Sequence, residues 1–486
     1  MIRHDKRYLF YIFAVCIAYS LPVILYGRYY IDDLSRSISG GSDWANGGRP
    51  LTDFIIETLM FKLPVIDISP IPQVLGISLI SITIYFLSRK TFPENKFIGA
   101  ICFIPLMISP FFLENISYKF DSLTMAIAII SSCLCGMTMN SGWRSTIAAS
   151  FLCVLIILNT YQAALNSFII FTLLYFFLLF KDKKYASAIS YSACSFIGML
   201  SGYYVYSRFI APNYVKGEYT IVHSQLINIT EKDAFGEVLR NIHNFTAIIN
   251  EQSPKIISIF FCALFIISLT YCIYLSTRRF VRGDILNNVC CVIVVIIPFL
   301  ILLCIPGAMI FLKYPVFAPR VMLGLSAAYC VLMAIACDLR KQNKMIAYAA
   351  LIPMLLMFQI SFSFANAQRA QNVYEIGVMS SIKSVMTSIG YSNIKTISIS
   401  GEISRSPVTS AISNKYKIIN KLVPLTLRDG WVWGISQLRH NNIYKDVKNS
   451  SGIKFCDWST RFSAPDFDGY YNNGVFVIDF ARKCSK

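Results

Sequence analysis

Apolar runs close to 20 residues long recur through most of the first 364 positions, separated by short polar segments. A run of that length, coiled at 1.5 Å per residue, crosses the roughly 30 Å hydrocarbon layer of a bilayer. The pattern therefore predicts an all-α polytopic membrane protein. About eleven spans are expected, near 8–26, 73–88, 97–113, 121–139, 146–160, 166–180, 186–208, 255–276, 288–312, 321–337 and 345–364. No small-residue cleavage site follows the first run and spans continue after it, so it reads as a retained helix rather than a signal peptide.

The polar segments set an orientation. The short segments assigned to the cytoplasm (1–7, 88–96, 139–145, 181–185, 276–284 and 338–344) hold 16 Lys and Arg, and the short loops assigned outside (114–120, 159–166 and 313–320) hold 3. Basic residues accumulate on the cytoplasmic side, so the N-terminus is expected in the cytoplasm and, with an odd number of spans, the C-terminus outside. Three large polar pieces then share the outer face: loop 28–72, loop 210–254 and the tail 365–486. The expected organisation is a transmembrane module, 1–364, followed by a small α+β domain on the outer face, 365–486, periplasmic in a bacterial inner-membrane protein of the kind the resemblance below implies. In the tail, 395–400 and 474–480 read as strands, and the stretches 429–434 and 466–471 read as aromatic, glycine-bearing turns. Within loop 28–72, Leu51, Phe54, Ile55, Leu59 and Leu63 share one helical face, which predicts an interfacial amphipathic helix.

Composition changes this picture little. The chain has 486 residues, 14% of them charged, against about 25% in a soluble domain. Its net charge of +18 falls in clusters between apolar runs, which is membrane topology and not a nucleic-acid surface. Thirteen of the 15 cysteines lie in apolar segments, where thiols pack as small hydrophobes. Cys456 and Cys484 lie in the polar tail, where a disulfide and two free thiols fit the sequence equally. No CxxC occurs and the four histidines lie far apart, so no structural zinc site is expected.

The candidate chemistry lies in the outer segments, not in the middle of the spans. Asp32 and Asp33 follow the first span, where a carboxylate is costly unless solvated, paired or used. Either can act as a general base; capping a helix, or pairing with Arg28 or Arg36, is the alternative. Trp44 precedes Gly47-Gly48-Arg49-Pro50, in which a guanidinium suits phosphate or carboxylate; a turn with Arg49 on Asp53 is the plain reading. The stretch Glu114 to Asp121 carries Tyr118, Lys119 and Asp121, the last also placed to cap the next helix. Tyr161, Gln162 and Asn166 fit sugar hydroxyls, or hydrogen bonds between helices. Lys313 and Arg320 bracket a proline-stiffened loop at headgroup depth and can hold a lipid phosphate, or anchor by snorkelling. Trp431 and Trp433 in the tail can stack on sugar or fill a core. Together these favour transfer from a lipid-linked donor over transport, which needs polar groups at mid-membrane.

The stretches Tyr30-Ile31-Asp32-Asp33, Trp44…Gly48-Arg49-Pro50, Asn115…Tyr118-Lys119-Phe120-Asp121-Ser122, Tyr161-Gln162-Ala163 and Pro319-Arg320 resemble the phage-encoded, serotype-converting O-antigen glucosyltransferases. More broadly, they resemble the C-type (GT-C-like), polyprenyl-phosphate-sugar-dependent membrane glycosyltransferases. The likeness runs over most of the membrane part and is weaker in the tail. It implies inverting transfer of glucose from undecaprenyl-phosphate-glucose to a sugar hydroxyl of O-antigen on the periplasmic face of the bacterial inner membrane. Asp32 or Asp33 would be the base. Arg320, with Arg49 or Lys313, would hold the donor phosphate. Trp44, Tyr118, Lys119, Asp121, Tyr161, Gln162, Trp431 and Trp433 would contact substrate, and loop 210–254 and the tail would hold the polysaccharide. No cofactor is implied beyond a weakly bound divalent ion. The implied functional partners are a lipid-glucose synthase and a flippase. A lipid-sugar flippase, or an O-antigen polymerase or ligase, is the competing expectation.

Overall fold

The computed structural model describes residues 2–228, 230, 231, 233–339 and 344–485. Of the basic segment expected at 338–344, residues 340–343 lie outside the described residues, as do Met1, Ile229, Lys232 and Lys486. Each apolar run is helical. Among the described residues seven helices are long and apolar enough to cross a membrane: Lys6–Tyr26, Ile71–Thr91, Trp143–Thr160, Gln162–Lys181, Lys255–Arg279, Ile285–Leu303 and Lys344–Ile389.

The other expected spans depart from a simple rod. The run at 97–113 is a broken pair, Lys96–Ile108 and Pro110–Ser117, bent by 40°. Pro110 explains the break. It supplies no N–H to continue the helix, and it holds Ser109 extended, at ψ 133°. Ser122–Thr138 and Leu323–Asp338 are shorter apolar helices. Leu323–Asp338 is buried at every position. Its glycine, alanines, serine and cysteines let neighbouring helices approach from all sides. Tyr185–Val205 ends in a π-helical turn, Tyr206–Ile210.

The boundary expected between 364 and 365 falls inside one continuous helix, Lys344–Ile389. The apolar core of the membrane part takes in Phe364, Ala365 and Ala367, and also Tyr416, Ile418, Ile419, Leu422 and Val423 from the tail. A second core begins at Val378. It is covered by a five-stranded sheet of β1 (Thr396–Ser400), β2 (Asp446–Asn449), β3 (Thr460–Ser463), β4 (Asp468–Asn472) and β5 (Val475–Asp479), in the order β2-β1-β5-β4-β3. β1 runs parallel to β2 and β5, while β4 runs antiparallel to β3 and β5. The strands expected at 395–400 and 474–480 are β1 and β5. The stretch 466–471, expected as a turn, instead enters β4, because Tyr470 and Tyr471 pair across to Val477 and Phe476. Cys456 and Cys484 are joined by a disulfide.

The expected interfacial helix runs Pro50–Leu59 and buries Thr52 and Ile56. It stops short of 63 because Phe61 and Lys62 take positive φ. Phe54 and Leu63, from the expected apolar face, remain exposed.

Candidate active site

The segments 28–72, 114–121, 159–166 and 313–320 meet at one end of the helix bundle, and the site forms where they meet. A short helix, Asp32–Ser39, follows the first span. Asp32 and Asp33 fill its first turn, where the helix dipole favours negative charge. Gly40 ends it in the left-handed conformation at φ 63°, with its N–H on the Arg36 carbonyl. Any side chain at Gly40 would strike Pro64, 2.7 Å from a Cβ built there. The helix opens at Ile31, a β-branched residue at φ 44°. Such strain, of order 1–3 kcal/mol, persists where surrounding contacts impose it and clusters at functional sites.

The two aspartates have different surroundings. Asp33 is fully buried. Its Oδ2 accepts the backbone N–H of Tyr30 at 3.2 Å and of Lys119 at 2.9 Å. Burial, and then the negative charge of Asp121, push its carboxyl up to about 8 against the opposing pull of those N–H groups and of Arg36. Asp33 is thus a brace between the first loop and the Tyr118–Lys119 turn. Asp32 keeps 29% of its side chain exposed, with Oδ2 3.8 Å from Arg36 Nη1. Burial raises its pKa, opposed by Arg36 first and also by Arg320 and Arg49. Asp32 is therefore the acid that can reach an entering substrate.

Arg36 organises the cluster. It lies 3.2 Å from Asp121 Oδ1 and 3.2 Å from Asp43 Oδ1, and stacks over the Trp44 ring at 4.2 Å. Asp121 also holds Arg49, Oδ2 to Nη1, at 3.4 Å. Asp121 stands at the start of the helix Ser122–Leu134 but makes no side-chain cap; its carboxylate bridges two arginines instead. Arg49 in turn is not on Asp53, which accepts the N–H groups of Trp44 and Ala45. The Gly48-Arg49-Pro50 stretch has a local cause. Gly48 sits at φ 77°, and a Cβ there would lie 2.5 Å from the Tyr206 hydroxyl, which donates to the Gly48 carbonyl at 2.9 Å. Gln162 donates to the same Tyr206 oxygen at 3.1 Å.

Arg320 forms the other half of the site. Its Nη1 lies 2.6 Å from Glu114 Oε1, and its backbone N–H donates to Glu114 Oε2 at 2.8 Å. Its carbonyl accepts the Tyr161 hydroxyl at 3.1 Å, and its guanidinium stands 5.9 Å from the Tyr118 ring. Tyr118 packs edge-on against Tyr30 at 4.9 Å. Lys119 stands over Tyr29 and 3.7 Å from Asp67. The acids Asp32, Asp43, Glu114 and Asp121 face the guanidinium groups of Arg36, Arg49 and Arg320.

The expected residues Asp32, Asp33, Arg49, Tyr118, Lys119, Asp121, Tyr161 and Arg320 are thus brought together. Trp44 and Tyr118 are buried, so they shape the floor under Arg36 and Arg320. Asn166 bridges to the carbonyls of Ile305 and Pro306. Lys313 stands apart from this cluster, 3.8 Å from Glu231 of loop 210–254. Trp431 lies under Arg428 at 4.1 Å, and Trp433 belongs to the helix Val432–His440, which packs on Asp32–Ser39. Two tail contacts hold this arrangement: His440 meets Tyr29 edge-on at 5.2 Å, and Arg28 pairs with buried Glu375 at 2.7 Å. The sequence offered Arg36 only as a structural partner for the aspartates, and Glu114 only as an acid of the 114–121 stretch, with no partner for it. The i, i+4 spacing of Asp32 and Arg36 was the available signal for the first; no local signal joins Glu114 to Arg320.

A polytopic helical protein with buried acids and guanidinium groups gathered at one end of its bundle, and a folded unit clamped over them, has the layout of a membrane group-transfer enzyme. The chain belongs to the family described as glucosyl transferase GtrII, whose model matches residues 21–332. That span includes every clustered residue from Asp32 to Arg320 and excludes Trp431 and Trp433. A protein of Salmonella phage P22, described as an uncharacterized 55.3 kDa protein in the gtrB 5′ region, is 30% identical over 470 residues, covering 93% of this chain and 95% of its own length. No solved structure matches. The family makes the chain a glucosyltransferase of O-antigen modification, with a lipid-linked sugar donor and a polysaccharide acceptor, as its resemblance to the serotype-converting enzymes implied.

Proposed function

We propose that this enzyme transfers glucose from undecaprenyl-phosphate-glucose to a hydroxyl of O-antigen, with inversion, at the periplasmic face of the inner membrane. The observation that carries the proposal is that a partly open carboxylate and a guanidinium converge on the Tyr118–Lys119 turn: Asp33, next to the accessible Asp32, accepts the Lys119 N–H at 2.9 Å, and the Arg320 guanidinium stands 5.9 Å from the Tyr118 ring. Asp32 takes the proton of the acceptor hydroxyl as that oxygen attacks C1 of the glucose. The C1–O bond to phosphate breaks and the phosphate stays on the lipid. Arg320 meets the charge that develops on the leaving oxygen. Burial raises the pKa of Asp32, which makes it a stronger base than a solvated aspartate. Attack from the face opposite the leaving group inverts the anomeric centre.

Asp33 braces the loop that carries Asp32. Arg49 neutralises Asp121 and stands second to Arg320 on the phosphate side. Arg36 and Arg49 already occupy the carboxylates of Asp121 and Asp43, so the transfer needs no obligatory metal. The Cys456–Cys484 disulfide supports a tail in an oxidising compartment. The basic segments support the same orientation and the eleven-span count. The helix Val432–His440 presents Trp433 beside the Asp32 helix as an acceptor platform. A lipid-glucose synthase and a flippase supply the donor to this face.

The test is reconstitution of the full chain in proteoliposomes with undecaprenyl-phosphate-glucose and lipid-linked O-antigen. The expected product is glucosylated O-antigen whose new anomeric centre, read by NMR, is opposite to the donor's. Retained configuration would sink the mechanism. Movement of donor across the bilayer without transfer would sink the enzyme reading in favour of a flippase.

A further inference from the structure

The long helix Lys344–Ile389 last contributes to the membrane core at Ala367 and enters the core of the tail at Val378. Glu375 lies at that joint and is fully buried. Its carboxylate serves two groups. Oε2 accepts Arg28 Nη1 at 2.7 Å, and Oε1 accepts the amide of Gln371, one helical turn back, at 3.1 Å. Gln371 also donates to the Ser404 carbonyl at 3.1 Å and accepts the Ser406 N–H at 2.8 Å. Arg28 also donates to the Pro424 carbonyl. Arg28 precedes Asp32 by four residues, yet these partners belong to the long helix and the tail. A buried ion pair contributes little net stability, since desolvation offsets its attraction, but it fixes one geometry.

Between Arg28 and the buried Asp33 the chain reverses sharply. Tyr30 is buried, with its ring on Tyr118. The Asp33 N–H donates to the Tyr30 carbonyl at 2.9 Å, which closes a β-turn with Ile31 and Asp32 at its centre. Ile31 has φ 44° and ψ −99°, near the roughly +60° and −120° of the first central position of a type II′ turn. Glycine suits that position, and a β-branched side chain is strained there. Relaxation of Ile31 to negative φ would swing Asp32, the next residue, away from its place beside Arg36. Such strain persists only where the surroundings over-determine it. Downstream of the turn, Asp33 is fixed by the Lys119 N–H at 2.9 Å. Upstream, the chain is held by Arg28 on Glu375, with Tyr29 edge-on against His440 of the tail.

Resting on the assignment of Asp32 as the base, we propose that Glu375 is a positioning residue for the transfer: through Arg28 it holds the Tyr30–Asp33 turn in the form that aims Asp32 at the acceptor. The tail is then part of the chemical step as well as a surface for the polysaccharide. The unbroken helix matters for the same reason, because it brings Glu375 to Arg28 at a fixed height and rotation relative to the bundle.

The experiment uses the full chain in proteoliposomes and the double variant Arg28→Met/Glu375→Gln. Removing both charges leaves neither buried and unpaired, and glutamine keeps an oxygen for Gln371, so the variant folds. Its kcat is expected to fall by about 10–100-fold, the scale of a misplaced catalytic group, while the KM for donor changes less than about twofold because Arg320 is untouched. Adding Ile31→Gly, which takes positive φ without strain, is expected to raise kcat again by at least about fivefold. Glycine would only weaken further a fold in which the pair were merely structural. Hydrogen exchange of the same proteins, read by mass spectrometry, is expected to be at least about tenfold faster over 28–36 and unchanged over the strands 396–400 and 475–479. A kcat within about twofold of the wild type, no recovery with Ile31→Gly, or exchange rising equally in the strands would overturn the proposal; the last would make the pair a brace of the tail's own fold. Exchange needs no substrate. If the wild type itself transfers no glucose, faster exchange confined to 28–36 would uphold the grip of Glu375 on the turn while rejecting the proposed transfer, and unchanged exchange there would reject the grip.

Discussion

Replacing Asp32 and Asp33 separately by asparagine separates chemistry from bracing. Asp32→Asn removes the proton acceptor and leaves the shape. Asp32 is partly open and touches Arg36 only at 3.8 Å, so the fold loses at most about 1 kcal/mol, the scale of an exposed pair. A general base contributes about 10²–10⁴ in rate, so the transfer rate should fall by that factor, or about 3–5 kcal/mol in barrier. Asp33→Asn behaves differently. Asparagine keeps an oxygen to accept the Tyr30 and Lys119 N–H groups, and it mimics the protonated carboxyl that burial favours at neutral pH. It should retain activity within about tenfold, well short of the loss of a base. The assay is the initial rate of glucosyl transfer in proteoliposomes carrying equal amounts of folded enzyme, verified by gel filtration. Near wild-type rates for Asp32→Asn, or loss of all transfer in a well-folded Asp33→Asn, would refute the assignment of roles.

Other outcomes follow from the same contacts. Asp33 has a carboxyl near 8 when folded against an ordinary value of about 3.9; the folded state holds a proton that the unfolded chain has released, so its contribution to stability falls as pH rises from about 4 to 8 and levels off above. Melting temperature in detergent should show this fall, and Asp33→Asn should flatten it. Arg36→Met leaves buried Asp121 short of one partner and should cost about 3–5 kcal/mol, seen as a lowered melting temperature together with loss of activity. Arg320→Gln should lower kcat/KM by about 10²–10³, the scale of one lost transition-state donor, while Lys313→Gln, paired outside the cluster, should leave kcat within about twofold on the same scale. Cys456→Ser opens the cross-link over a sequence separation of 28 and should destabilise the tail by about 2–5 kcal/mol, measured by protease resistance of the tail with the membrane part intact.

The sequence by itself determined the helices and the end of the bundle on which the chemistry gathers. Twenty-residue apolar runs leave the backbone no alternative in lipid, and polar residues excluded from the spans must collect at their ends. It also marked Asp32, Asp33, Arg49, Asp121, Tyr161 and Arg320, because charges and hydrogen-bonding groups stand out beside apolar helices. Tertiary structure decided which of them act together. Nothing local says that Asp121 turns from its helix end to Arg36 and Arg49, since a cap and a bridge begin from the same residue. Asp32 and Asp33 are adjacent and identical in type, and only the fold makes one a buried brace on the Lys119 N–H and leaves the other open. The helix Lys344–Ile389 runs through the expected domain boundary because helix propensity continues where hydrophobicity stops. The Glu114–Arg320 pair is invisible along the chain, since its members stand 206 residues apart. Periodicity and charge are properties of neighbours in sequence, whereas pairing, burial and cavities are properties of neighbours in space.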